Sequence, residues 1–216
     1  MKKLCIFDFD GTLIESITDF EICCNTALTN FGFPTLSKEE YILCLGGDMD
    51  SFISKVLGAN SNPENIKMVK ENYLELYNAS EKESTLPYPN CHKFLKKLQD
   101  NNILLAINSN RLNDYIMNLI EKFFPDIDFL SVKGLDTDYP AKPNPSGTNM
   151  IINKTDLNLD DVVYIGDALV DIETAQNANI DCIIVNWGYG DEITFNHEYP
   201  LKVVNDFLEL YNTIMD

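Results

Sequence analysis

Apolar positions follow two different rhythms along this chain. Residues 3–9 form a short, nearly continuous apolar run and predict a buried strand that ends in Asp8-Phe9-Asp10-Gly11-Thr12. From there to about residue 85 the spacing is helical and the stretch rather polar. Phe20, Cys23, Cys24, Ala27, Leu28 and Phe31 share one helical stripe. Ser37 with Glu40 makes a capping box that opens a second helix, and Gly46-Gly47 stops it. Phe52, Ile53, Val56 and Leu57 predict a third helix and residues 66–77 a fourth. No strand is expected here.

The rhythm changes after Leu86-Pro87-Tyr88-Pro89-Asn90, a joint stiffened by two prolines. A helix carrying Phe94, Leu95 and Leu98 precedes a strand at 103–107. A helix at 113–124 precedes a strand at 129–132, and a helix opening at Pro145, capped by Asn144, precedes a strand at 162–165. A last pair, helix 169–178 and strand 182–185, completes the series. Short apolar strands alternating with helices predict an α/β fold whose parallel sheet is covered on both faces. The helical block is then an insertion after the first strand. This divides the chain into an α/β core of residues 1–15 and 87–216 and a helical domain of residues 16–86.

Composition narrows the function classes. Hydrophobic residues make up 45% of the 216, enough for a packed core. The 34 acidic residues against 16 basic ones give a net charge of −18, and no basic stripe exists to replace counterions on a nucleic acid or an anionic membrane. No apolar run reaches transmembrane length, and the run after Met1-Lys2-Lys3 is broken by Asp8, too soon for a signal peptide. The six cysteines show no zinc or disulfide spacing, so reduced thiols in a cytoplasmic protein are expected. Cys23-Cys24 reads as helix core, His92 and His197 as surface residues, and Trp187 as packing under a loop. Oligomeric state is not legible.

Ligands of open parallel sheets bind beyond the carboxyl ends of the strands. Four polar clusters fall at such ends: Asp8-Phe9-Asp10-Gly11-Thr12-Leu13, Asn108-Ser109-Asn110-Arg111, Lys142-Pro143-Asn144-Pro145, and Gly166-Asp167-Ala168-Leu169-Val170-Asp171. Each alone has an ordinary explanation as a turn or a helix start. All four together, in order on one sheet, point to a site.

These clusters resemble motifs I to IV of the haloacid dehalogenase (HAD) superfamily. The opening Asp8-Phe9-Asp10-Gly11-Thr12-Leu13-Ile14-Glu15-Ser16 is similar to its phosphoglycolate-phosphatase-like branch, as are Lys142-Pro143-Asn144-Pro145 and Asn186-Trp187-Gly188-Tyr189. The likeness covers nearly the whole chain. It implies a Rossmann-like parallel-sheet core with an inserted all-helical cap that closes over the leaving group, and Mg2+-dependent hydrolysis of a small phosphorylated metabolite. By the same resemblance Asp8 is the nucleophile and Asp10 the general acid and base. Asp8, the Asp10 carbonyl and Asp167 hold Mg2+, Ser109 and Lys142 contact the phosphoryl group, and Asp171 supports Lys142. Backbone N–H groups near Asp10, Gly11 and Asn110 cradle the remaining phosphate oxygens. With all four aspartates ionised the site carries −4, to which Mg2+ and Lys142 return three positive charges.

Other functions compete with this one. A sugar phosphomutase would carry His and Arg groups after motif I, where Ile17-Thr18-Asp19-Phe20 stands. A dehalogenase would lack an acid at Asp10. A receiver domain would be shorter and have no helical insertion, and an inactive binding relative would have lost one of the six catalytic side chains. A pyrophosphatase of the same fold stays open.

Overall fold

In a computed structural model, which describes residues 1–135 and 139–216, the chain forms two compact units. One comprises Met1–Ile14 with Pro87–Asp216, the other Glu15–Leu86. In chain order the elements are β1 (Leu4–Phe7), β2 (Ile14–Glu15), α1 (Ile17–Asn30), α2 (Lys38–Cys44), α3 (Met49–Leu57), α4 (Pro63–Ala79), β3 (Leu86–Pro87) and α5 (Cys91–Asp100). They continue with β4 (Leu104–Leu112), α6 (Asn113–Phe123), β5 (Phe129–Leu135), α7 (Ser146–Ile152), β6 (Val162–Gly166), α8 (Leu169–Ala178), β7 (Asp181–Val185), α9 (Glu192–Phe195), β8 (Lys202–Val204) and α10 (Phe207–Met215). Among the described residues no helix is long and apolar enough to cross a membrane.

Six strands form one sheet in the order β5-β4-β1-β6-β7-β8, and every pairing in it is parallel. Counting only these six, the order is the doubly wound 3-2-1-4-5-6, whose winding reverses beside β1. Period-2 alternation explains both covered faces. Cys5 and Phe7 of β1 and Val163 and Ile165 of β6 face a core completed by α5, α6 and α10. Leu4, Ile6, Val162 and Tyr164 face the opposite core, built on α7 and α8. A strand buried on both sides reads as an unbroken apolar run, and β1 does.

Glu15–Leu86 is helical between its terminal strand residues. Its core is aromatic: Phe20 packs on Phe52 and Tyr73 with ring centroids 5.0 Å apart, and Tyr41, Tyr73 and Tyr77 are fully buried. The capping box at the start of α2 is formed as expected, Ser37 Oγ accepting from Glu40 N and Glu40 accepting from Ser37 N. Asn25 ties the α1–α2 connection through both backbone groups of Leu36 and also accepts from Tyr41 Oη.

The structure corrects three expectations. The strand expected at 103–107 runs on to Leu112, so Asn108, Ser109, Asn110 and Arg111 lie within β4 rather than after it; a register shift between Asn108 and Leu112 lets polar residues continue the strand. Pro145 occupies the cap position of α7 instead of its first turn, and Asn144 Oδ1 accepts from Ser146 N at 3.0 Å. Finally, β8 and α10 were not foreseen: three residues of Lys-Val-Val are too short a pattern to register.

Candidate active site

The carboxyl ends of β1 and β6, adjacent strands at the reversal of the winding, bring the acidic residues together. Asp8 follows β1 directly, its N–H donating to Ile165 O at 2.8 Å. Asp167 follows β6, and Asp171 sits in the first turn of α8. All three are buried, and each offers a carboxylate oxygen within 4.8 Å of the others. Three carboxylates packed so closely repel one another and lack water. Burial pushes the Asp8 carboxyl up to about 7, with Lys142 opposing and Asp171 adding to the shift. Burial, reinforced by Asp171 and Asp8, holds Asp167 well above the usual carboxylate range.

Each member of the cluster is held differently. Asp167 accepts from Thr12 Oγ1 at 2.9 Å through one oxygen and from Tyr189 N at 2.7 Å through the other. Asp171 Oδ2 caps α8, accepting from the N–H groups of Asp167 and Ala168, and its Oδ1 accepts from Lys142 Nζ at 2.7 Å. Asp8 Oδ1 lies 2.9 Å from the same ammonium, yet the pair is not aligned as a hydrogen bond, and this buried oxygen has no hydrogen-bond partner among the described residues. Lys142 is itself buried. Desolvation alone would discharge it, but the charges of Asp171 and Asp8 outweigh that and hold its pKa well above the ordinary value. The Tyr164 ring lies 5.8 Å from its ammonium, within cation–π range.

Backbone crowding keeps the cluster narrow. Gly11 has φ +82°, and a Cβ there would strike the Asp167 carboxylate. The Gly11 N–H donates to Ile14 O at 2.9 Å inside the turn after β1. Gly11 is demanded by that turn and by Asp167. A Cβ on Gly188 would meet the Asp167 side chain and the carbonyl of Gly11, and one on Gly166 would meet Asp171.

Asn110 contributes through its side chain. Its side chain spans both backbone groups of Lys142, Oδ1 accepting from Lys142 N at 2.8 Å and Nδ2 donating to Lys142 O at 3.2 Å. It positions the lysine from strand β4. Ser109 is buried, and its Oγ accepts from Arg111 N at 3.2 Å. Trp187 packs on Phe207 and donates to Thr12 O, below the loop that carries Gly188 and Tyr189.

One residue was missed. Arg111 carried no role in the sequence reading, yet its guanidinium forks onto Asp10, Nε to Oδ2 at 2.8 Å and Nη2 to Oδ1 at 2.7 Å. The signal that could have found it is its rarity: Arg111 is the only arginine in the sequence. It also changes the charge balance. With all four aspartates ionised, Lys142 and Arg111 leave an excess of two negative charges.

These features define a doubly wound α/β protein with a carboxylate cluster at the point where the winding reverses. Comparison with known proteins names the class more closely: the model for haloacid dehalogenase-like hydrolases matches residues 5–185, and the chain belongs to that family. It is a hydrolase. Among curated relatives, the phosphoglycolate phosphatase of Psychrobacter arcticus is 28% identical over 222 residues, covering 99% of this chain and 96% of its own. That of Aliivibrio fischeri is 26% identical over 211 residues, covering 95% and 93%. A crystal structure from Lactobacillus delbrueckii subsp. bulgaricus superposes with a TM-score of 0.92 at 26% identity, covering 99% of both chains.

Proposed function

We propose that this chain is a cytoplasmic, Mg2+-dependent phosphatase that hydrolyses a small phosphate monoester through an aspartyl-phosphate on Asp8. Phosphoglycolate is the first substrate to test, on the strength of the similar curated relatives. One observation carries the reading: a buried carboxylate oxygen, Asp8 Oδ1, stands without a hydrogen bond beside a buried ammonium. A buried carboxylate oxygen whose charge is offset by an adjoining ammonium is suited to nucleophilic chemistry.

The donors fit a hard cation. All are oxygens, and the site keeps a negative excess that Mg2+ would offset, held by the Asp8 and Asp167 carboxylates and the Asp10 carbonyl. When bound, Mg2+ supplies charge neutralisation at the phosphoryl oxygens.

The remaining steps belong to side chains. An Asp8 oxygen forms a bond to phosphorus as the ester P–O bond breaks, and Asp10 gives its proton to the departing alkoxide. Water then attacks the phosphorus and yields a proton to Asp10. Inorganic phosphate leaves, and the Asp8 carboxylate is restored. Lys142, held by Asp171 and Asn110, neutralises Asp8 and the transferring group, and Ser109 donates its hydroxyl to a phosphoryl oxygen. The helical unit is assigned the selection of the alcohol. The cytoplasmic location draws on six thiols that are all free.

The test is turnover of p-nitrophenyl phosphate and of a panel including phosphoglycolate and sugar phosphates, in Mg2+ and in EDTA. Turnover lost in EDTA and restored by Mg2+, with Ca2+ a poor substitute, is expected. Full activity in EDTA would overturn the proposal.

A further inference from the structure

Among the 16 basic residues of the sequence, one alone is an arginine, and its guanidinium meets the Asp10 carboxylate. The Arg111 side chain is 6% exposed and that of Asp10 25%. Two hydrogen bonds of 2.8 and 2.7 Å, one to each oxygen of Asp10, make the planar fork that a lysine cannot reproduce. Breaking such a pair without replacement leaves a guanidinium with little water around it, so the fork fixes the carboxylate in orientation.

The placement of Arg111 is equally specific. It stands two residues beyond Ser109 on β4, past the point where the strand loses regular register with β5. Its own N–H donates to Ser109 Oγ. Backbone and side chain of this one residue therefore touch two of the groups assigned to the reaction.

The geometry conflicts with the duty given to Asp10. Both carboxylate oxygens accept N–H bonds from the guanidinium, whereas a group that protonates a departing alkoxide must turn an O–H toward it. At least one of the two hydrogen bonds must open first. We infer that Arg111 is a positioning residue for the acid–base group: it holds Asp10 as a two-oxygen acceptor while Asp10 is ionised, and one oxygen is released when Asp10 carries the proton it gives to the leaving group. The inference rests on the reading of Asp10 as acid and base. Arg111 moves no proton and needs no contact with substrate; what it governs is where the Asp10 carboxylate points.

The experiment compares wild type, Arg111→Ala, Arg111→Lys, Asp10→Asn and the Asp10→Asn/Arg111→Ala double variant. Each is assayed on an alkyl phosphate and on p-nitrophenyl phosphate, whose leaving group hardly needs a proton. Arg111→Ala should lower kcat on the alkyl ester by roughly 10- to 100-fold, the usual worth of an orienting partner, with a smaller loss on the aryl ester and little change in KM. Added guanidinium chloride at millimolar concentration should restore part of the alkyl-ester activity of Arg111→Ala. In the Asp10→Asn background the arginine substitution should cost little more, since the group it positions is gone. Should Arg111→Ala fail to fold, Arg111→Lys carries the test: a charge without the fork should show the same preference for the aryl ester. Equal losses on both esters, no rescue, or fully additive losses in the double variant would overturn the inference. A wild type without phosphatase activity, or an Asp8→Asn variant that keeps it, would instead remove the functional reading beneath it.

Discussion

Asp8 and Asp10 stand two residues apart in different surroundings, and different work is proposed for them. Asp8 is buried against Lys142, with one oxygen lacking a hydrogen bond; Asp10 is partly exposed and gripped by Arg111. Asp8→Asn should leave no covalent intermediate at all. Asp10→Asn keeps the nucleophile but has no proton to give or take, so hydrolysis of an alkyl phosphate should slow by roughly two to four orders of magnitude. With p-nitrophenyl phosphate, rapid-quench kinetics should show a burst of at most one p-nitrophenol per enzyme and then a weak steady state. Equal losses on both substrates without a burst would make Asp10 structural. A second outcome at this scale concerns Gly188. A methyl group there would enter the space of the Asp167 side chain and the Gly11 carbonyl. Gly188→Ala should therefore cost about 1–3 kcal/mol in urea denaturation and weaken Mg2+ binding measured by calorimetry, because the ligand oxygen itself is displaced.

At the scale of elements, local chemistry shaped the helices and tertiary contacts shaped the site. The α2 capping box satisfies two backbone donors from within one four-residue stretch. Ser37→Ala should cost about 1 kcal/mol of stability in chemical denaturation. Turnover of p-nitrophenyl phosphate should stay at the wild-type level, since none of the residues assigned to the reaction lies on α2. A large loss of turnover would show that the helical unit contributes to chemistry as well as selection. Asn110 is the contrasting case. It belongs to a strand by its backbone, but its side chain reaches 32 residues along the sequence to hold Lys142. No window on the sequence contains both ends of that contact.

At the scale of the molecule, the clustered carboxylates make stability depend on pH and on the cation together. The Asp8 carboxyl is raised in the folded protein from the ordinary 3.8 to about 7. A group raised in this way favours folding most below its unfolded value, and the contribution is lost as pH climbs through the folded one. Between about pH 4 and pH 7 the cation-free protein should therefore lose stability, by up to about 4 kcal/mol for this group at 1.36 kcal/mol per unit. Mg2+ would take the place of the proton, so its addition should flatten the decline, and binding at pH 6 should release protons. Urea midpoints at pH 5 and pH 7.5, in EDTA and in Mg2+, measure this. The same pH slope in both would show that the cation does not bind at the cluster.

Much of this protein was legible in one dimension because its signals are local. An apolar run covered on both faces, the 3.6-residue stripes of α1 and α3 and the Ser37–Glu40 pair each act within a few residues, so sequence order specifies them. Strand ends in a parallel sheet all meet at one edge, which is why four clusters far apart in sequence could be assigned to one place. What the sequence left undecided depends on which neighbours arrive there. Where Asn110 directs its amide and whether the arginine reaches Asp10 are settled by distances between segments dozens of residues apart. β8 and α10 became identifiable only against β7 and the α5 face, since three residues acquire a strand's identity from the partner that pairs with them. Backbone preference and hydrophobic period act along the chain; charge pairing and steric exclusion act through space, and only folding brings their partners together.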